Sequence, residues 1–171
     1  MRSRLDRRGF LGLAGSLLLC ASGEAAAATI VALGASNTYG RGVERAQAYP
    51  AQLEALLRAR GHAVQVINAG TNGDTTGRIL DRIDAVVPSG TGIVILQPGG
   101  NDRRKGEGAA SAANIATIEA KLRARGIRLI MLPNGMFRGL PHQADGQHLT
   151  PEGYRMLAVA LLPQVTAALG R

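Results

Sequence analysis

The residues able to do chemistry stand in three short blocks. They are Gly34-Ala35-Ser36-Asn37-Thr38, Gly99-Gly100-Asn101-Asp102 and Asp145-Gly146-Gln147-His148. The first follows the apolar run 29–33, the second follows the apolar run 93–96, and the third precedes a helix start. A serine hydroxyl is a poor nucleophile until a base takes its proton, and an imidazole is the usual base. A carboxylate three residues from that imidazole can fix its tautomer and stabilise it once charged. An asparagine amide can donate to an oxyanion. Ser36, His148, Asp145 and Asn101 are therefore the parts for acyl transfer through an activated serine. His142 is a rival base, but it has no aspartate at a matching offset. His62 follows Gly61 at a strand start and reads as solvent-facing.

Convergence of these parts depends on the elements between them. Apolar β-branched runs at 29–33, 64–68, 93–97 and 127–132 read as strands. Helical periodicity at 46–60, 74–87, 111–125 and 150–169 alternates with them. Thr150 is a good N-cap, and Pro151 sits where a missing N–H costs nothing. This alternation, with strands apolar throughout, implies a parallel sheet covered on both faces. The expected fold is a three-layer α/β/α, doubly wound, flavodoxin-like sheet of about four strands in the order 2-1-3-4. Ligands bind such sheets beyond the carboxyl ends of the strands, where the winding reverses. Ser36 and Asn101 fall just past the ends of two strands that this order makes neighbours.

Composition narrows the classes. The 171 residues carry 20 Lys and Arg against 12 Asp and Glu, a net charge of +8. The excess is dispersed, apart from Arg103-Arg104-Lys105, and aromatics are only 3%. That pattern argues for a solvated basic surface favouring anionic substrates or membrane surfaces, and against nucleic acid as a partner. Residues 1–28 read as an export signal: Arg7-Arg8 before Phe10-Leu11, an apolar stretch, then the small residues 25–28. The twin-arginine route fits this best, and an ordinary secretory signal containing Arg-Arg is the alternative. The single cysteine, Cys20, leaves with such a signal, so packing alone must hold the remaining domain, 29–171. The expected location is the periplasm or the exterior.

In order, the blocks resemble those of the SGNH (GDSL-type) hydrolases, and within them the small periplasmic acyl thioesterase, lysophospholipase and arylesterase group. A further matching block is Asn68-Ala69-Gly70-Thr71-Asn72-Gly73-Asp74-Thr75, and the last block continues into Leu149-Thr150-Pro151. The resemblance covers the whole chain after the signal. It implies Ser36 as nucleophile, Asp145 and His148 as its partners, and an oxyanion hole of Ser36, Gly73 and Asn101, with Gly70 as the alternative glycine. It implies a lipase-like esterase or thioesterase acting on a small-molecule ester. No metal or organic cofactor is expected, the protein is expected to be a monomer, and transient contact with lipid is expected. A carbohydrate O-acetyl esterase and a non-catalytic binding module on the same fold are the other readings.

Two departures accompany the match. The family pattern has Asp before the nucleophile, where this chain has Ala35. The link from Pro133 to Asp145 is also too short for the helix and fifth strand that relatives usually place there. A shallow, open pocket is the expected consequence, with Met136 and Phe137 near the substrate.

Overall fold

The structure, a computed structural model, describes residues 27–170. The expected export signal lies outside the described residues except for its last two positions. The described chain runs β1 (Ala28–Gly34), α1 (Ser36–Tyr39), α2 (Tyr49–Arg58), β2 (Val64–Gly70), α3 (Thr76–Val86), β3 (Thr91–Gln97), α4 (Asn101–Arg104), α5 (Gly108–Ala124), β4 (Arg128–Met131) and α6 (Pro151–Leu169). Single 3-10 turns cover Arg45–Gln47 and Asn134–Phe137.

The four strands form one parallel sheet in the order β2-β1-β3-β4. This is the α/β architecture and the strand order expected from the sequence. Side chains alternate across β1. Ile30 and Ala32 enter a core cluster with Leu53 and Leu57 of α2 and Leu157 and Leu161 of α6. Val31 and Leu33 enter a second cluster with Ile79 and Ile83 of α3 and Ile118 and Leu122 of α5. Two cores, one per face, fix the sheet's register, because a slip of one residue would exchange the two sets.

Boundaries differ from the periodicity in instructive ways. Helix α2 begins at Tyr49 rather than at 46, because Ala48 is extended and the preceding residues close a 3-10 turn through a Glu44–Gln47 capping box. Helix α3 begins at Thr76 rather than at 74. Thr75 caps it, its side chain accepting from the Arg78 N–H. Asp74 is left outside the helix and pairs with Arg82 at 2.7 Å.

The register aligns Gly34 with Gly70 and with Gln97, so three strand ends meet at one rim. Glycine is required at two of these positions by close approach. A Cβ on Gly70 would overlap the backbone at Tyr39, and one on Gly34 would overlap the Thr38 hydroxyl. These absences let the short helix α1 lie directly on the sheet's end.

Candidate active site

Ser36 is the first residue of α1, one residue beyond the end of β1. The chain turns sharply there, and Gly40, in the left-handed region at φ 84°, ends the helix. A first-turn N–H has no partner within its own helix, so the Ser36 N–H is not used within α1. Ala35 is held by Gln97, whose Oε1 accepts from the Ala35 N–H at 3.2 Å and from the Thr38 hydroxyl at 3.3 Å. The Gln97 amide in turn donates to Asn134 Oδ1 at 3.3 Å. A glutamine from the end of β3 thus restrains the loop before Ser36, where the family pattern has an aspartate at 35.

The Asp145–His148 segment is a compact turn. Asp145 Oδ1 accepts from the backbone N–H groups of Gln147 and His148, each at 2.9 Å. Its Oδ2 meets His148 Nδ1 at 2.5 Å. The His148 ring contact, followed by these two backbone donors, holds the Asp145 carboxyl well below the usual carboxylate range. The other ring nitrogen, His148 Nε2, lies 2.8 Å from Ser36 Oγ. Ser36 and His148 are buried, while Asp145 is partly open to solvent. A carboxylate on Nδ1 and a hydroxyl on Nε2 is the order needed to draw a proton from the hydroxyl.

Further contacts hold this arrangement. Tyr154 of α6 donates to Asn37 Oδ1 at 3.0 Å, and burial pushes its hydroxyl up to about 12, so it remains a donor at neutral pH. The Asn37 amide donates to the Gln147 carbonyl at 3.1 Å, tying α1 to the residue before His148. Arg82 donates to Asp74, to the Gly34 carbonyl at 3.1 Å and to the Ala69 carbonyl at 2.9 Å, joining the ends of β1 and β2.

A cavity of about 200 Å³ opens between these elements, with Ser36, Asn101, Phe137 and His148 among its walls. The Asn101 amide donates to the Asp74 carbonyl at 2.7 Å and keeps a second N–H. Asp102, beside it, accepts from the Thr76 backbone at 3.0 Å and from the Thr76 hydroxyl at 2.5 Å, bracing the start of α3. Two expected site residues lie elsewhere. Gly73 is outside the cavity's walls, its carbonyl held by Lys105 at 2.7 Å. Met136 packs against the core beside α6, and only Phe137 of that pair faces the cavity. The alternative base, His142, is occupied with the Leu140 carbonyl at 2.7 Å and lies off the cavity.

Residues 32–147 match the GDSL-like lipase/acylhydrolase family. The chain belongs to that family. The family match spans the Ser36, Asn101 and Asp145 blocks and ends one residue short of His148. This GDSL-family chain is 32% identical over 111 residues to Esterase TesA of Pseudomonas aeruginosa, a stretch covering 64% of the chain. It spans 55% of that relative's length. A crystal structure of TesA superposes with a TM-score of 0.72 at 23% identity, covering 82% of the chain and 99% of that structure. The psychrotrophic esterase EstA from a Pseudoalteromonas species, solved inhibited by monoethylphosphonate, superposes with a TM-score of 0.71 at 16% identity, covering 84% and 99%. These two likenesses share the fold. Among the described residues, no group of three or more His, Cys, Asp or Glu could hold a metal ion. No described helix is long and apolar enough to cross a membrane.

Proposed function

We propose that the protein is a serine ester hydrolase that cleaves small carboxylic esters or thioesters through an acyl-enzyme. The observation that carries this reading is the relay from Asp145 Oδ2 through His148 to Ser36 Oγ, at 2.5 and 2.8 Å. Ser36 Oγ attacks the ester carbonyl carbon while its proton passes to His148 Nε2. The carbonyl oxygen becomes an oxyanion, which accepts from the Ser36 N–H and from Asn101. Gly73 would join them only if its loop turns inward from its place beside Lys105. Collapse of the tetrahedral species breaks the bond to the alcohol or thiol, which leaves with the proton from His148. Water then attacks the acyl-enzyme, giving its proton to His148, and the acid departs as Ser36 Oγ recovers that proton.

The cavity's size favours short acyl groups, since sites for larger ligands run to roughly 300–1,000 Å³ and this one holds about 200 Å³. The pattern of residues 1–28, Arg7-Arg8 followed by an apolar stretch and small residues, supports export, which fractionation of cells producing the tagged full chain would test: retention of the intact chain in the cytoplasm opposes it. For the chemistry, the test is a fluorophosphonate probe together with p-nitrophenyl acetate. Labelling confined to Ser36, with turnover lost in Ser36→Ala, is the expected result. A folded protein that neither labels nor hydrolyses any ester would favour a binding module instead.

A further inference from the structure

The cavity's walls include a cation and no carboxylate. Arg104, the last residue of α4, stands at the mouth. Its Nη2 donates to Asn101 Oδ1 at 2.5 Å, and its Nη1 donates to Gln147 Oε1. Both partners are neutral amides. Among the described residues, no carboxylate oxygen lies within 4.0 Å of the Arg104 guanidinium, whereas nearby Arg82 is paired with Asp74 at 2.7 Å. The carboxylates around the site are already engaged: Asp145 by His148, Asp74 by Arg82, and Asp102 by Thr76.

A guanidinium has five N–H donors in a fixed fork, and the two amides leave three of them for a ligand. Two neutral acceptors, Asn101 on α4 itself and Gln147 in the turn before His148, hold the group in place without cancelling its charge. Such a group is preorganised for a carboxylate or phosphate, whose oxygens can take two parallel N–H donors. Arg103 and Lys105, its immediate neighbours, add to the positive potential at the rim.

We propose that Arg104 recognises an anionic group, a carboxylate or a phosphate, carried by the ester substrate, an assignment that rests on the hydrolase reading above. Arg104 is then a specificity-determining residue. It selects among substrates without forming or breaking a bond. The anion can belong to the alcohol side or to the acyl side, and matched substrates separate the two. For the alcohol side, 4-acetoxybenzoate is compared with 4-acetoxybenzamide. For the acyl side, mono-p-nitrophenyl adipate is compared with methyl p-nitrophenyl adipate. Each kcat/KM is divided by that ester's spontaneous hydrolysis rate.

The expected result is a preference of about two- to five-fold for the anionic member of one pair, the range of an exposed ion pair held in good geometry. It should shrink as salt rises from low to physiological strength. In Arg104→Gln the preference should fall to about one, and Arg104→Lys should restore part of it. A guanidinium that merely held Asn101 would slow both members of each pair alike and leave the ratio where it was. Efficient turnover of the neutral esters with no anionic preference in either pair overturns the assignment while the hydrolase reading stands. Absence of both turnover and fluorophosphonate labelling removes the hydrolase reading, and this assignment falls with it.

Discussion

The two sides of the cavity are built differently. On the nucleophile side, each reactive atom already has one matching partner, from Asp145 Oδ2 to Ser36 Oγ. On the oxyanion side the groups are tied to other parts of the protein. Asn101 donates to the Asp74 carbonyl and accepts from Arg104, while the Gly73 carbonyl is held by Lys105. The nucleophile side draws its geometry from one tight turn and one helix start. The oxyanion side needs loops from three strand ends to agree, so it tolerates more adjustment. Its amides can serve a negative charge only as that charge forms, which is where stabilisation contributes to rate.

Substitutions should expose this difference by their size. Ser36→Ala should be the most severe, lowering kcat on p-nitrophenyl acetate by about 10⁴-fold or more. Retention of a tenth of the wild-type rate would remove Ser36 from the chemistry. Asp145→Asn should cost about 10³–10⁴-fold, because the amide leaves His148 in the wrong tautomer. Its measurement is kcat at saturating substrate, with circular dichroism checking that the turn still folds. For Asn101→Ala the expected loss is about 10²–10³-fold, appearing in kcat more than in KM. A loss as deep as that of Ser36→Ala would erase the contrast between the two sides.

Lys105→Met frees the Gly73 loop and should change kcat by about two- to ten-fold, the scale of one exposed hydrogen bond. A kcat indistinguishable from wild type would argue against any part for Gly73 in the oxyanion hole. The smallest effect concerns stability and acid. The folded protein holds the Asp145 carboxyl below its ordinary value of 3.8, so the unfolded chain binds more protons in that range. The stability this adds is complete above the ordinary carboxylate value and is lost as pH falls from there through the lower value of the folded protein. Between about pH 5 and pH 2, the Tm of the wild type should therefore drop further than that of Asp145→Asn. Parallel Tm curves for the two proteins would show that Asp145 carries no such linkage.

Much of the fold was legible because its signals are local. Leu53 and Leu57 one turn apart, the Thr150-Pro151 start of α6, and the unbroken apolar run 93–96 each report local structure from a few neighbouring residues. The ends of elements were less legible. Helix α3 starts after Asp74 because that side chain is drawn to Arg82, eight residues on, and no periodicity reveals it. The strand order could be inferred from right-handed crossovers, and the sheet has that order.

The site divides in the same way. Asp145 and His148 are three residues apart, so a single turn joins them and spacing alone suggested the pair. The Ala35–Gln97 bond joins residues 62 apart, and the Tyr154–Asn37 bond joins residues 117 apart. Neither follows a sequence period, and Gln97 reads as the polar end of a strand. Arg104 looked like one of three basic residues on a solvated surface, and only packing brought it between Asn101 and Gln147. The chain's pattern thus determined the layers, the sheet and the residue types at its rim, because hydrophobic periodicity and turn chemistry act over a few residues. Which of those residues touch was decided by the tertiary structure, because hydrogen bonds between distant segments form only after both core faces have closed and set the loops in register.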